Sequence, residues 1–247
     1  PALGLDVART AVHLPLDPFA GRVLVERVRA RSDASRHGQT RLDIALAAFA
    51  LVPLTLTGCA DPSENTPAAQ VAESTTSAAV PAAPAEGTVY NFTPATKIEF
   101  EGSKVTGSHK GGFTAFTGSV TVPGEDLTKA SITATIDMKS TFSDSDGLTK
   151  HLLSADFFEA DKFPEAKFVS TAIVANGDTF SVTGDFTLHG ETKSITFPAT
   201  LSLADGKVTA HAEFDINRMD FGIKYPGKVD DAIRENVVIR LHIEAAA

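Results

Sequence analysis

The chain has no tryptophan, two tyrosines, two methionines and a single cysteine among its 247 residues. One thiol excludes an intrachain disulfide framework, so stability must come from packing. No apolar run reaches the roughly 20 residues that a membrane-spanning helix needs. Catalytic and metal signatures are missing as well. There is no HExxH pair and no GxSxG elbow, and Asp144, Asp146, Asp156, Glu159 and Asp161 lack the glycine and terminal glutamate positions of an EF-hand loop. Helix capping and solvated charge describe these acids better. His109, His151, His189, His211 and His242 are scattered and read as surface or turn residues. No enzyme and no cofactor is expected.

Basic charge is also scarce in most of the chain. Residues 1–59 hold seven of the 22 basic side chains and five of the 31 acidic ones, which leaves 15 and 26 beyond them and a formal net charge of −11. Such a surface repels phosphate backbones, so nucleic acid is excluded as a partner.

What the chain does have is, first, a signal around its lone cysteine. An apolar stretch from Ile44 to Leu56 runs into Thr57, Gly58 and Cys59, with Arg36 and Arg41 upstream as a basic n-region. A small residue before a lone cysteine at the end of such a run is how a bacterial lipoprotein signal peptide ends. Cys59 is therefore expected to carry the lipid, and two or three acyl chains anchor stably where one does not. A buried free thiol is the competing reading, but these flanks offer it no core. Residues 1–58 are expected to be an upstream segment and signal peptide. The protein then belongs at the bacterial envelope, lipid-anchored on the periplasmic side. Ala60, in place of aspartate, points to the outer membrane where that sorting rule operates.

Residues 59–86 are rich in Ala, Pro, Ser, Thr and Glu, with almost no large apolar side chain. That composition cannot offset the entropy of ordering, and it reads as a disordered, semi-stiff tether.

Residues 87–247 are patterned with period two. Ile132, Ala134, Ile136 and Met138 form one apolar row; Phe180, Val182, Gly184, Phe186 and Leu188 form another; and further rows run through Ile195–Leu203, Val208–Ile216 and Val237–Ile243. Asn176-Gly177-Asp178, His189-Gly190-Glu191 and Asp205-Gly206-Lys207 punctuate the rows as hairpin turns. An all-β antiparallel meander follows. One-sided alternation over many strands is best resolved by closing the sheet into a barrel, with a sandwich as the competing solution. The one break is Asp144–Asp161, where Leu148, Leu152 and Leu153 predict a short helix over residues 147–154, followed by the pair Phe157-Phe158. That segment is placed to plug one end of the barrel.

The inward rows mix large and small side chains: Phe113, Phe116, Gly118, Ala134, Gly184, Phe186, Ala199, Ala210, Ala212 and Phe214. They either tile a solid core or leave an apolar slot lined by phenylalanines, and composition leaves both open, the solid core being the commoner outcome. A solid barrel would suit a non-enzymatic interaction or structural protein of the envelope.

Four segments in one order resemble the YceI-like family. Leu148–Ser170 carries a His-Leu run, a Phe-Phe pair, Phe-Pro and a Phe-x-Ser strand; Gly112–Gly118, Gly184–Lys193 and Asn217–Gly222 are similar to three further family elements. The resemblance implies an extended eight-stranded, lipocalin-like antiparallel barrel with a hollow apolar tunnel for polyisoprenoid lipids, of the isoprenoid quinone or prenyl phosphate type. Alternation and resemblance together nominate Phe113, Phe116, Ile136, Leu152, Phe157, Phe158, Phe163, Phe168, Phe186, Phe214 and Phe221 as its lining. One family element is absent: where a D-x-x-H-S run commonly opens the domain, this chain has Thr93-Pro94-Ala95-Thr96-Lys97.

Overall fold

In a computed structural model of the chain, residues 61–74 and 86–247 are described; Cys59 and the signal-like run lie outside them. The strands are β1 Gln70–Glu73, β2 Thr88–Phe92, β3 Lys97–Lys104, β4 Gly107–Phe113, β5 Phe116–Val122, β6 Ser131–Asp137, β7 Thr141–Ser143, β8 Glu165–Asn176, β9 Thr179–Leu188, β10 Glu191–Ala204, β11 Lys207–Asn217, β12 Gly227–Lys228 and β13 Asp231–Ala246. One α-helix, α1, covers Asp146–Leu152.

These strands close into a ring of eight antiparallel staves. β2 with β3, β4 with β5, and β6 with β7 are each one bent stave; β8, β9, β10, β11 and β13 supply the rest, and β13 returns to pair with both β2 and β3. Closure leaves no long free edge, which is why the barrel and not the sandwich is the solution for a one-sided meander. The expected hairpins hold. His189-Gly190 and Asp205-Gly206 both adopt positive φ at each of their two central residues, the geometry that matches the twist of the flanking strands.

At the bend between β2 and β3, the Thr96 hydroxyl donates to the Glu244 carbonyl at 2.9 Å and accepts from the Glu244 amide at 3.0 Å. A buried threonine thus pins this corner to β13, where the family's D-x-x-H-S element is missing.

α1 begins one residue before the expected start and ends two before the expected end. Ser154 turns out of the helix by donating its amide to the His151 carbonyl at 3.0 Å, three residues back. Asp146 in the first turn and Lys150 and His151 in the last complement the helix dipole.

The tether expected over residues 59–86 is corrected where it is described. Residues 61–74 are built into the barrel wall. β10 pairs with β9 through Glu191–Ala199 but with β11 only through Thr200–Ala204, so the two staves part towards the β9–β10 turn. β1 fills the gap: Gln70–Glu73 pairs antiparallel with Lys193–Thr196 of β10, while Ala68 bridges Asp215 of β11. Asp215 donates its amide to the Pro67 carbonyl at 3.0 Å, and Ala69 returns a bond to the Asp215 carbonyl at 2.8 Å. An unpaired strand edge recruits a segment of low hydrophobicity through main-chain bonds alone, which composition does not register.

Candidate functional site

The lumen is hollow, which removes the solid-core alternative. It holds a cavity of about 230 Å³ whose exposed wall is wholly apolar. Alternation aims one face of every stave inward, and on five of those inward positions the residue is alanine: Ala134, Ala166, Ala199, Ala210 and Ala212 line the space.

Gly118 and Gly184 do not open this space, although the mixed inward rows allow it; Gly102 does, since it lines the cavity and a Cβ there would meet nothing within 4 Å. A Cβ at Gly184 would meet the Phe168 ring, one at Gly118 the Phe92 ring, and one at Gly111 the Phe100 ring. Each ring occupies the space over the bare backbone of its neighbouring strand, so the missing side chain is already replaced.

Eight of the nominated residues line the cavity: Phe113, Ile136, Leu152, Phe157, Phe158, Phe168, Phe186 and Phe214. Three do not. Phe116 opposes Ile136 across β5 and β6 but sits at the first residue of its strand, packed on the core beyond the lining. Phe163 lies over Gly190 and beside His189, with ring centroids 4.7 Å apart, and so covers the β9–β10 turn. Phe221 is fully buried against Phe186, 5.3 Å between centroids, in the same core cluster but off the cavity lining.

The segment after α1 forms a flap. Phe158 contacts Phe100 and Phe113 at 6.3 and 6.2 Å between centroids, and Phe157 meets Tyr225 at 5.4 Å. His151 joins that seam, 5.0 Å from Tyr225 and hydrogen-bonded to Asp156 at 2.9 Å. The flap therefore closes one end largely by side-chain packing, in which Leu152 and Ala160 join aromatic contacts worth about 0.5–1.5 kcal/mol each, and not by a continuous backbone ladder.

Among the lining residues that the nominated set missed are three phenylalanines. Phe92, Phe100 and Phe197 line the cavity; all three sit in strand alternation and were legible in principle. Arg218 also touches it. Burial pushes its guanidinium below its ordinary pKa, and it donates to the carbonyls of Ile223 at 2.6 Å, Arg234 at 3.1 Å and Ile233 at 3.3 Å. A buried cation satisfied by three carbonyls is a clamp that joins the turn after β11 to β13. Among the described residues, no three His, Cys, Asp or Glu side chains are grouped to hold a metal ion. On the outer wall His211 and His242 oppose each other across β11 and β13, with their Nδ1 atoms 3.1 Å apart.

A closed antiparallel barrel with an apolar lumen and an aromatic flap is, by class, a small hollow barrel of the lipocalin-like kind. The YceI-like domain matches residues 90–245, and the chain belongs to that family. β1 precedes the matched residues.

A UPF0312 protein of Pseudomonas putida (strain W619) is 39% identical over 131 residues, covering 50% of this chain and 68% of that protein. The solved structure of Burkholderia cenocepacia BcnA is 25% identical, with a TM-score of 0.58 over 63% of this chain and 99% of its own. A polyisoprenoid binding domain from Saccharophagus degradans, implicated in plant cell wall breakdown, shares the fold at 16% identity, with a TM-score of 0.54 over 64% of this chain and 98% of its own.

Proposed function

We propose that this protein binds the prenyl chain of an isoprenoid lipid, of the quinone or polyprenyl phosphate type, inside its barrel. It carries or buffers that lipid at the bacterial envelope, anchored through an acylated Cys59. The observation that carries the reading is the wholly apolar cavity of about 230 Å³. An apolar chain is the ligand such a wall favours, at about 0.8 kcal/mol per buried methylene less the cost of ordering it. The family membership and the polyisoprenoid binding domain among its structural neighbours support the same ligand class.

Volume sets a scale for the ligand. An apolar cavity of about 150 Å³ holds a benzene ring, so the present one accepts on the order of ten carbon atoms, about two isoprene units. A longer chain must displace the flap rings or protrude. The test is a titration with prenyl alcohols of increasing length. Affinity rising steeply through the first units and then more slowly agrees with the reading; affinity independent of chain length contradicts it.

A further inference from the structure

We propose that the end of the barrel carrying Val105 and Val229 rests on the membrane surface, so that the flap end of the cavity faces the bilayer. This rests on the reading of Cys59 as the lipid attachment point.

The place where the described chain begins sets the geometry. Asp61 stands two residues after Cys59, and its carboxylate accepts a hydrogen bond from Arg234 at 2.6 Å, while the amide and hydroxyl of Ser63 bond the other carboxylate oxygen at 3.0 and 2.7 Å. The residues that follow are stitched between β10 and β11. The anchor is therefore not separated from the barrel by a long free tether. At most about 3.6 Å per residue links them, so Cys59 lies within about 7 Å of backbone from a fixed point on the barrel. Arg234 belongs to the first residues of β13, which places that point at the end where β3 turns into β4 and β12 into β13.

Those two turns present apolar tips. Val105 is 57% exposed and Val229 fully exposed. Val229 occupies a two-residue hairpin loop, where glycine, asparagine or aspartate serves the turn and a valine adds nothing to it. The loops are braced together: Lys104 pairs with Asp231, Thr106 donates its hydroxyl to Asp231 at 2.9 Å, and the Val105 amide donates to the Ala232 carbonyl at 3.3 Å.

Charge at this end is mixed. Lys224 and Lys228 are exposed at this end and make no ion pair among the described residues, with Asp230 beside Val229 as a partial offset. Asp146, Glu191 and Asp220, exposed at the same end and without an ion pair among the described residues, offset the lysines further, so the apolar tips and not net charge carry the lipid contact of this end. Directly behind it, Ile223 and Ile233 line the cavity and Tyr225 closes against the flap, so a chain leaving the bilayer meets the lumen by its shortest route.

The missing tryptophan makes the test direct, because one introduced indole is the only one in the protein. Full-length acylated protein carrying Val229→Trp, Val105→Trp or Val174→Trp is reconstituted into vesicles of phosphatidylethanolamine and phosphatidylglycerol. Val174, 55% exposed beside the Gly177 turn, marks the opposite end. Emission is expected to shift to shorter wavelength, and to be quenched by brominated lipid, at positions 229 and 105 and not at 174. A shift at 174, or none at 229 and 105 in protein that floats with the vesicles, overturns the orientation. Failure to float with Cys59 intact overturns the anchor reading, and the orientation with it.

Discussion

Phe197 on β10 and Phe214 on β11 stack with ring centroids 4.2 Å apart and planes 12° from parallel. They do so beyond Thr200 and His211, the last residues at which those strands pair, so the stack joins the staves from inside where β1 joins them within the wall. Phe168 extends the row, 5.8 Å from Phe197.

This makes Phe214 a wall residue with two duties. Phe214→Ala is expected to cost about 3–5 kcal/mol in chemical denaturation, since the stack is lost and the lumen grows further. A loss near zero would mean that the stack does not hold the parted staves.

Added volume should be tolerated or rejected according to what already fills each place. Gly184→Ala adds one methyl against the Phe168 ring and the Val169 carbonyl, and is expected to cost about 1–3 kcal/mol. Ala212→Phe adds far more, but into the cavity, and is expected to leave the melting temperature near that of the parent. The reverse order of melting temperatures would contradict the assignment of filled and empty space.

Two carboxylates where the N-terminal segment meets the barrel, Asp61 and Asp215, should respond to pH in opposite senses. For Asp215, burial raises the pKa and the nearby Asp61 charge adds to the rise. Its contribution to stability is therefore fully present below the unfolded value, near 3.8, and is lost as pH climbs through the raised one. Asp215→Asn is expected to raise the melting temperature at pH 7 and to change little at pH 3. For Asp61, burial acts upward but is outweighed by the Ser63 hydrogen bonds and by Arg234, so the net pKa is lowered. Its contribution is present above about 3.8 and disappears as pH falls through the lowered value. Asp61→Asn should lose stability at pH 7 and converge with the parent in acid. Melting curves across that range check both signs.

On the proposed anchor, membrane attachment depends on one side chain, that of Cys59. Secreted behind a signal peptide that is cleaved without a cysteine, the Cys59→Ser protein is expected to move from the membrane pellet to the soluble fraction. A variant that stays in the pellet contradicts the acyl anchor.

Much of this architecture is legible in the chain. The rows through Val208–Ile216 and Val237–Ile243 alternate without interruption, and Asp205-Gly206 admits few other conformations, so strand order follows from local chemistry. Residues 70–73 were illegible for the opposite reason. QVAE has no pattern of its own, and it becomes a strand because β10 offers an open edge. The lining was readable only to the resolution of a face. Phe168 and Phe163 look equivalent in sequence, yet one covers a glycine inside the lumen and the other a glycine in a turn. Arg218 carried no signal as a clamp, because its three acceptors are carbonyls supplied by the turn and by β13.

The central claim is that the hollow lumen holds a prenyl chain. Mass spectrometry of organic extracts, made in parallel from the parent protein and from Ala212→Phe purified without detergent out of native cells, tests it most directly. The account predicts close to one isoprenoid lipid per chain from the parent and a strongly reduced yield from the filled variant. Folded parent protein that repeatedly yields no lipid, or a filled variant that retains it in full, would contradict the account.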